Sequence, residues 1–99
     1  MRTCIDRLIA APRLGGTIVR DEAEYIAEKL DLLRHAKGIS NDAYLDAGAI
    51  QGALEMLANL VDMGVEQDEL QALLRSQLDR AIRLEEKHPG LDSAIEEGR

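Results

Sequence analysis

Two places in this chain put metal- or proton-binding side chains at helical spacing. Asp31 and His35 stand four apart, and Glu24 and Glu28 share their helix face, so four donor groups converge on one surface. Glu85-Glu86-Lys87-His88 contains Glu-x-x-His, the spacing used by di-iron helical bundles. Cys4 is the one thiol. Zinc or iron needs three or four deprotonated ligands held in orientation from behind, and a single solvent-facing helix face does not supply that geometry. A di-iron site needs a second Glu-x-x-His and two further carboxylates pointing inward, which only a symmetric oligomer of this chain would complete. The ordinary readings are a solvated charged face around His35, with Lys29 and Arg34 nearby, and a helix end at His88, where an imidazolium suits the macrodipole.

Nucleophilic catalysis finds no better footing. Cys4 has no histidine partner in view, and Ser40, Ser76 and Ser93 fall at cap or surface positions. A nucleophile, a base and an orienting group are nowhere held together. Gly15-Gly16 lacks the rest of a phosphate-binding pattern and reads as a turn. A helical chain this short would also struggle to enclose a pocket of about 300 Å³. The expectation is a non-enzymatic protein with no catalytic residues, no metal site and no cofactor.

What must position these residues is helical. The chain has 99 residues, enough for one core and too few for two. It contains no Phe and no Trp, and Tyr25 and Tyr44 are its only aromatics, so Leu, Ile, Val, Met and Ala build the core. Such residues fill seams between helices, whereas strands favour β-branched and aromatic side chains. The predicted fold is all-α: a small three- to four-helix bundle with a central, mostly apolar third helix, forming a single domain over 1–99.

Punctuation sets the expected boundaries. Thr3 caps a short helix over 4–11, ended by Pro12, and RLGGTIVR follows as a connection. Asp21 and Glu24 have capping-box spacing for a helix over 22–37, with Gly38 as its stop. Ser40 or Asn41 caps a third helix over 41–63, ended by Gly64. Val65 and Leu70 have staple spacing for a fourth over 67–88, with Asp68 and Glu69 at its positive end and Lys87 at its negative end. The tail, 89–99, either adds a short turn packing Leu91 and Ile95 or frays.

On a wheel of about 100° per residue, the third helix is apolar over more than half its circumference. Leu45, Ala49, Ala53, Met56, Leu60 and Met63 form one side, and Ile50, Leu54, Leu57 and Val61 continue it. Its single polar stripe holds Gly48, Gln51, Gly52, Glu55, Asn59 and Asp62. Each glycine costs roughly 0.5–1 kcal/mol against alanine in a helix interior. The stripe is either plain solvent surface or a shallow groove where another backbone approaches, and it is the candidate interaction face. Tyr25, Leu32 and Gln77 form a possible oligomer seam. Gln77 sits within the fourth helix's leucine stripe, where an unpaired amide would cost about 1–3 kcal/mol, so it needs a partner, a rim position or another subunit.

Charge narrows the partner. The net charge is −7, with 19 acidic and 12 Lys+Arg residues. Such a balance, without aromatic stacking platforms, disfavours direct nucleic-acid binding. No basic residue lies between Lys37 and Arg75, while Asp42, Asp46, Glu55, Asp62, Glu66, Asp68 and Glu69 do. That segregation steers association with a basic protein or head-to-tail contact between copies. A lone cysteine and the absence of a long apolar run point to the cytoplasm and to no membrane partner. The expected function is protein-protein association as a dimeric adaptor or accessory factor, with the third or fourth helix buried in a homodimer. Two alternatives stand beside it: an acidic inhibitor, of the kind phages encode, occupying a basic nucleic-acid-binding surface; and a metal-dependent helical oligomer.

Overall fold

A computed structural model describes residues 1–99 and contains five helices and no strand: α1 (Arg2–Ala10), α2 (Gly16–His35), α3 (Asn41–Asp62), α4 (Gln67–Lys87) and α5 (Leu91–Glu96). The molecule measures 39 × 22 × 21 Å. It is a small all-α bundle in which α3 lies between α2 and α4, antiparallel to both, while α1 rests on α4 and α5 closes against α1 and α2. Twenty buried residues form one core, drawn from all five helices and the α1–α2 joint. Val19, Ala23, Ile26 and Leu30 of α2 meet Ala47, Ile50, Leu54 and Leu57 of α3, with Leu70, Leu74 and Ala81 of α4 in the same cluster. No helix is long and apolar enough to cross a membrane.

The first two helices begin earlier than their cap signals indicate. Thr3 does not cap α1; it lies one residue inside, and its hydroxyl donates to Asp92 at 2.6 Å. The TIVR stretch, expected as a connection, belongs to α2, which starts at Gly16 behind the N-cap Gly15. Helix propensity penalises Thr, Ile and Val by less than about 0.7 kcal/mol each, whereas burying Val19 contributes roughly 1.5–3 kcal/mol. Val19 is fully buried, one turn before Ala23, so tertiary packing outweighs the local preference. Asp21 is consequently an exposed mid-helix residue.

The later joints follow their punctuation with one exchange. Ser40 is the N-cap of α3, its hydroxyl accepting from the Ala43 amide at 3.0 Å. Both α2 and α3 end in Schellman turns. In the second, Gly64 has φ +83° and its N–H donates to the Val61 carbonyl, while Val65 N–H donates to that of Leu60. In the first, the left-handed residue is Lys37, at φ 57°, and Gly38 follows it. The predicted glycine stop is therefore displaced by one residue, because the Gly38 N–H closes the outer bond of the motif, to Leu33. The tail at 89–99 contains a helix, α5, whose Leu91 and Ile95 are buried. Its start is held from a distance, with Glu85 accepting from the Gly90 and Asp92 amides at 2.8 and 2.9 Å.

Candidate functional site

Two surfaces of this bundle carry more than routine packing, and they are built in opposite ways. The first surrounds α1, α2 and α5. Glu22, nearly fully buried, accepts from Arg7 at 2.8 Å and from both terminal nitrogens of Arg99 at 2.7 Å. Arg7 also reaches Glu96, and the Cys4 thiol donates to Glu96 at 3.2 Å. The Arg99 guanidinium stacks 4.0 Å above the Tyr25 ring, whose hydroxyl donates to the Ile95 carbonyl at 2.6 Å. Burial works to raise the Glu22 pKa, yet the Arg99 hydrogen bonds and the two guanidinium charges hold it below the ordinary carboxylate range. Burial, aided by the hydrogen bond to Glu96, pushes the Cys4 thiol up to about 12, so it is a poor nucleophile. Nearby, Asp92 accepts from the Thr3 amide, the Thr3 hydroxyl and the Met1 amino group. Burial opposes its ionisation, but those donors outweigh it and bring its carboxyl down to about 2.

The second surface is the outward side of α3. Ile50, Leu54 and Leu57 turn inward, and the opposite apolar series turns out: Leu45, Met56 and Met63 are 67%, 64% and 76% exposed. Leu73 of α4 extends the patch, and a cleft of about 110 Å³ between Met56, Leu60, Leu73 and Gln77 connects the two helices. Towards the start of α3 a wider groove of about 360 Å³ is lined by Leu45, Ala49 and Ile50 of α3 and by Arg80, Arg83, Leu84 and Lys87 of α4. Asp46 stands at its end, accepting from Lys87 at 2.9 Å and His88 at 3.0 Å, and those two bonds lower its pKa.

The polar stripe expected to meet a partner is divided. Gln51 donates to the Ala23 carbonyl at 3.1 Å and to Glu55 at 2.9 Å. Arg20 donates to Asp62 at 2.8 Å and to Asn59 at 3.2 Å. Gln51, Asn59 and Asp62 thus latch α3 to α2, although Asn59 and Asp62 stay exposed like Gly52 and Glu55, with Gly48 half-buried beside them. A Cβ at Gly48 or Gly52 would meet nothing within 4 Å, so no contact inside the chain requires either glycine. Tyr25, Leu32 and Gln77 do not form a continuous seam. Tyr25 is engaged with α5, Leu32 stands exposed further along α2, and Gln77 lines the α3–α4 cleft, accepting from Arg80 at 3.1 Å.

The candidate metal ligands disperse. Glu85 caps α5 while His88, three residues on, turns to Asp46. His35 Nδ1 lies 2.7 Å from the backbone carbonyl of Asp31, and the Asp31 carboxylate accepts from Tyr44 at 2.8 Å. No three His, Cys, Asp or Glu side chains gather as metal ligands would.

Helical periodicity did mark the Leu45–Met63 side, but placed it within one broad apolar arc. The Glu22 cluster had no local signal, since Arg7 and Arg99 lie 15 and 77 residues from Glu22. No protein-family model, curated protein or solved structure matches the chain, so its own geometry carries the functional reading.

Proposed function

We propose that this chain works by protein-protein association, as a non-enzymatic dimeric adaptor or accessory factor, through the outward side of α3 and the adjoining strip of α4. One observation carries the reading: Leu45, Met56 and Met63 line a single side of one helix and lie mostly in water. Scattered apolar residues are normal on protein surfaces, but an aligned set rimmed by charges is the composition of an interface. Methionine suits that role because its flexible thioether adapts to an opposing surface. The lone buried thiol fits a reducing compartment, and we place the association in the cytoplasm.

The acidic-inhibitor reading is less well supported. The acid-only stretch of sequence is not an acid-only surface, because α4 returns Arg80, Arg83 and Lys87 beside the start of α3. The metal-dependent oligomer would have to gather its ligands between copies, and Glu85 and His88 already bond within the chain, to the start of α5 and to Asp46.

Sedimentation equilibrium tests the association, paired with circular dichroism to verify folding. The wild-type chain should exceed its 10.9 kDa monomer mass at micromolar concentration. Met56→Glu combined with Met63→Glu should return it to the monomer without loss of helicity. Identical masses for the two chains would overturn the reading.

A further inference from the structure

The face just described has a charge order that selects its occupant. Its apolar stripe repeats at three- and four-residue steps, with Leu45, Ala49, Ala53, Met56, Leu60 and Met63 following one seam along α3 and Gly52 on its edge. That is the spacing of a seam against a second helix lying nearly along the first. Beside it, α4 runs the other way, because Lys87 and His88 reach Asp46 near the start of α3. The groove at the start of α3 is therefore cationic, bearing Arg83 and Lys87, while Glu66 and Glu69 stand exposed by the end of α3.

We infer that the occupant is a second copy of this chain, packed α3 against α3 in antiparallel register about a two-fold axis on the outward side of the helix, midway between Leu45 and Met63. The inference rests on the association reading and fixes its geometry. An antiparallel two-fold keeps α4 over α4 and reverses its direction, so Arg83 and Lys87 of each copy approach Glu69 of the other. It also sets Leu45 against Met63, and Met56 against the bare surface of Gly52, where an added Cβ meets nothing within 4 Å. The parallel alternative brings the cationic groove over the other copy's α2 end, which carries Arg34 and Lys37. Ala23 and Asp31 of α2 bond to Gln51 and Tyr44 of α3, which places that α2 end by the start of α3. Parallel pairing therefore sets the cationic groove against an end of mixed charge, where Glu28 and Asp31 stand beside Arg34 and Lys37, whereas antiparallel pairing sets it against Glu69.

Disulfide trapping reads the register directly, and buried Cys4 contributes little background. Residues 45 and 63 lie about 27 Å apart along α3, whereas a disulfide needs Cα atoms within about 7 Å. When a Leu45→Cys chain is mixed with a Met63→Cys chain and oxidised, the 45–63 product should dominate by mass spectrometry. Predominant 45–45 and 63–63 products, or no covalent dimer, would overturn the register. A charge exchange supplies the second arm. Arg83→Glu and Glu69→Arg should each weaken self-association by about tenfold at low salt, and an equimolar mixture should recover most of it. Failure of the mixture to recover also counts against the register. If the Met56→Glu, Met63→Glu chain loses its dimer while the trapping gives self-linked products, the association stands and only the antiparallel arrangement falls.

Discussion

The α1–α2–α5 side and the outer side of α3 differ in what they leave unsatisfied. Around Glu22 the chain buries charge and supplies a partner for it: two arginines converge on one carboxylate, and no buried side-chain nitrogen or oxygen lacks a hydrogen bond. Along Leu45, Met56 and Met63 the chain buries nothing and leaves methionine and leucine in water. A polar cluster completed within one chain has little left to offer a partner. An uncovered apolar side gains about 25 cal/mol for each Å² that association removes from water. Position on the fold therefore says where the molecule is finished and where it is open.

The widest separation should come from two positions on the same helix. Leu54→Ala should destabilise the fold by about 3 kcal/mol, because Leu54 is fully buried and its loss leaves a cavity. Met56→Ala, two residues away, should change the stability of the dilute chain by less than about 0.5 kcal/mol. Urea denaturation of both at low protein concentration checks this, and equal losses would show that the outer side of α3 is not open.

The closed side breaks through its carboxylates. Glu22→Ala removes the acceptor shared by Arg7 and Arg99 and should cost about 2 kcal/mol, below the usual loss for a deeply buried pair because both arginines are part-exposed and rehydrate. Asp92 makes the same side sensitive to acid. Its folded pKa of about 2 lies below the ordinary 3.8. Its contribution is therefore complete above about pH 4 and is lost as the pH falls through about 2. Asp92→Asn should lower stability near pH 7 by about 2 kcal/mol and flatten the melting temperature between pH 4 and 2. A variant with an unchanged acid slope would remove Asp92 from this role.

The smallest effects concern backbone and should sharpen the contrast without disturbing either side. Lys37→Gly should stabilise the monomer by about 0.5–1 kcal/mol, since it relieves a left-handed lysine where α3's equivalent turn already has Gly64. Gly48→Ala should do likewise by roughly 0.5–1 kcal/mol, there being open space for the methyl group. Thermal melts suffice for both, and a loss of stability in Gly48→Ala would reveal a contact at that position.

Much of the bundle was readable from its residues, though unevenly. Ser40, Gly64 and the Val65–Leu70 spacing mark their joints because capping and left-handed turns are settled within a few residues. The beginning of α2 was not readable, because the β-branched run Thr17–Val19 is helical only through what Val19 packs against. Of the candidate site, the apolar surplus of α3 was visible but its direction was not. Gln51, Asn59 and Asp62 share a polar stripe by their spacing, but that α2 lies beside it, accepting from Gln51 and donating through Arg20, is set by packing.

By itself, the sequence determined an all-α bundle with an apolar third helix, since a period near 3.6 and the absence of Phe and Trp act over short stretches of chain. Only the tertiary structure decided which part of that helix is covered. Covering requires neighbours, and α2 and α4 approach α3 from the Ile50–Leu54 side, leaving Leu45, Met56 and Met63 outside. The Glu22 cluster belongs to the same class: its arginines come from distant points in the chain, and only folding brings their charges within hydrogen-bonding distance of one carboxylate.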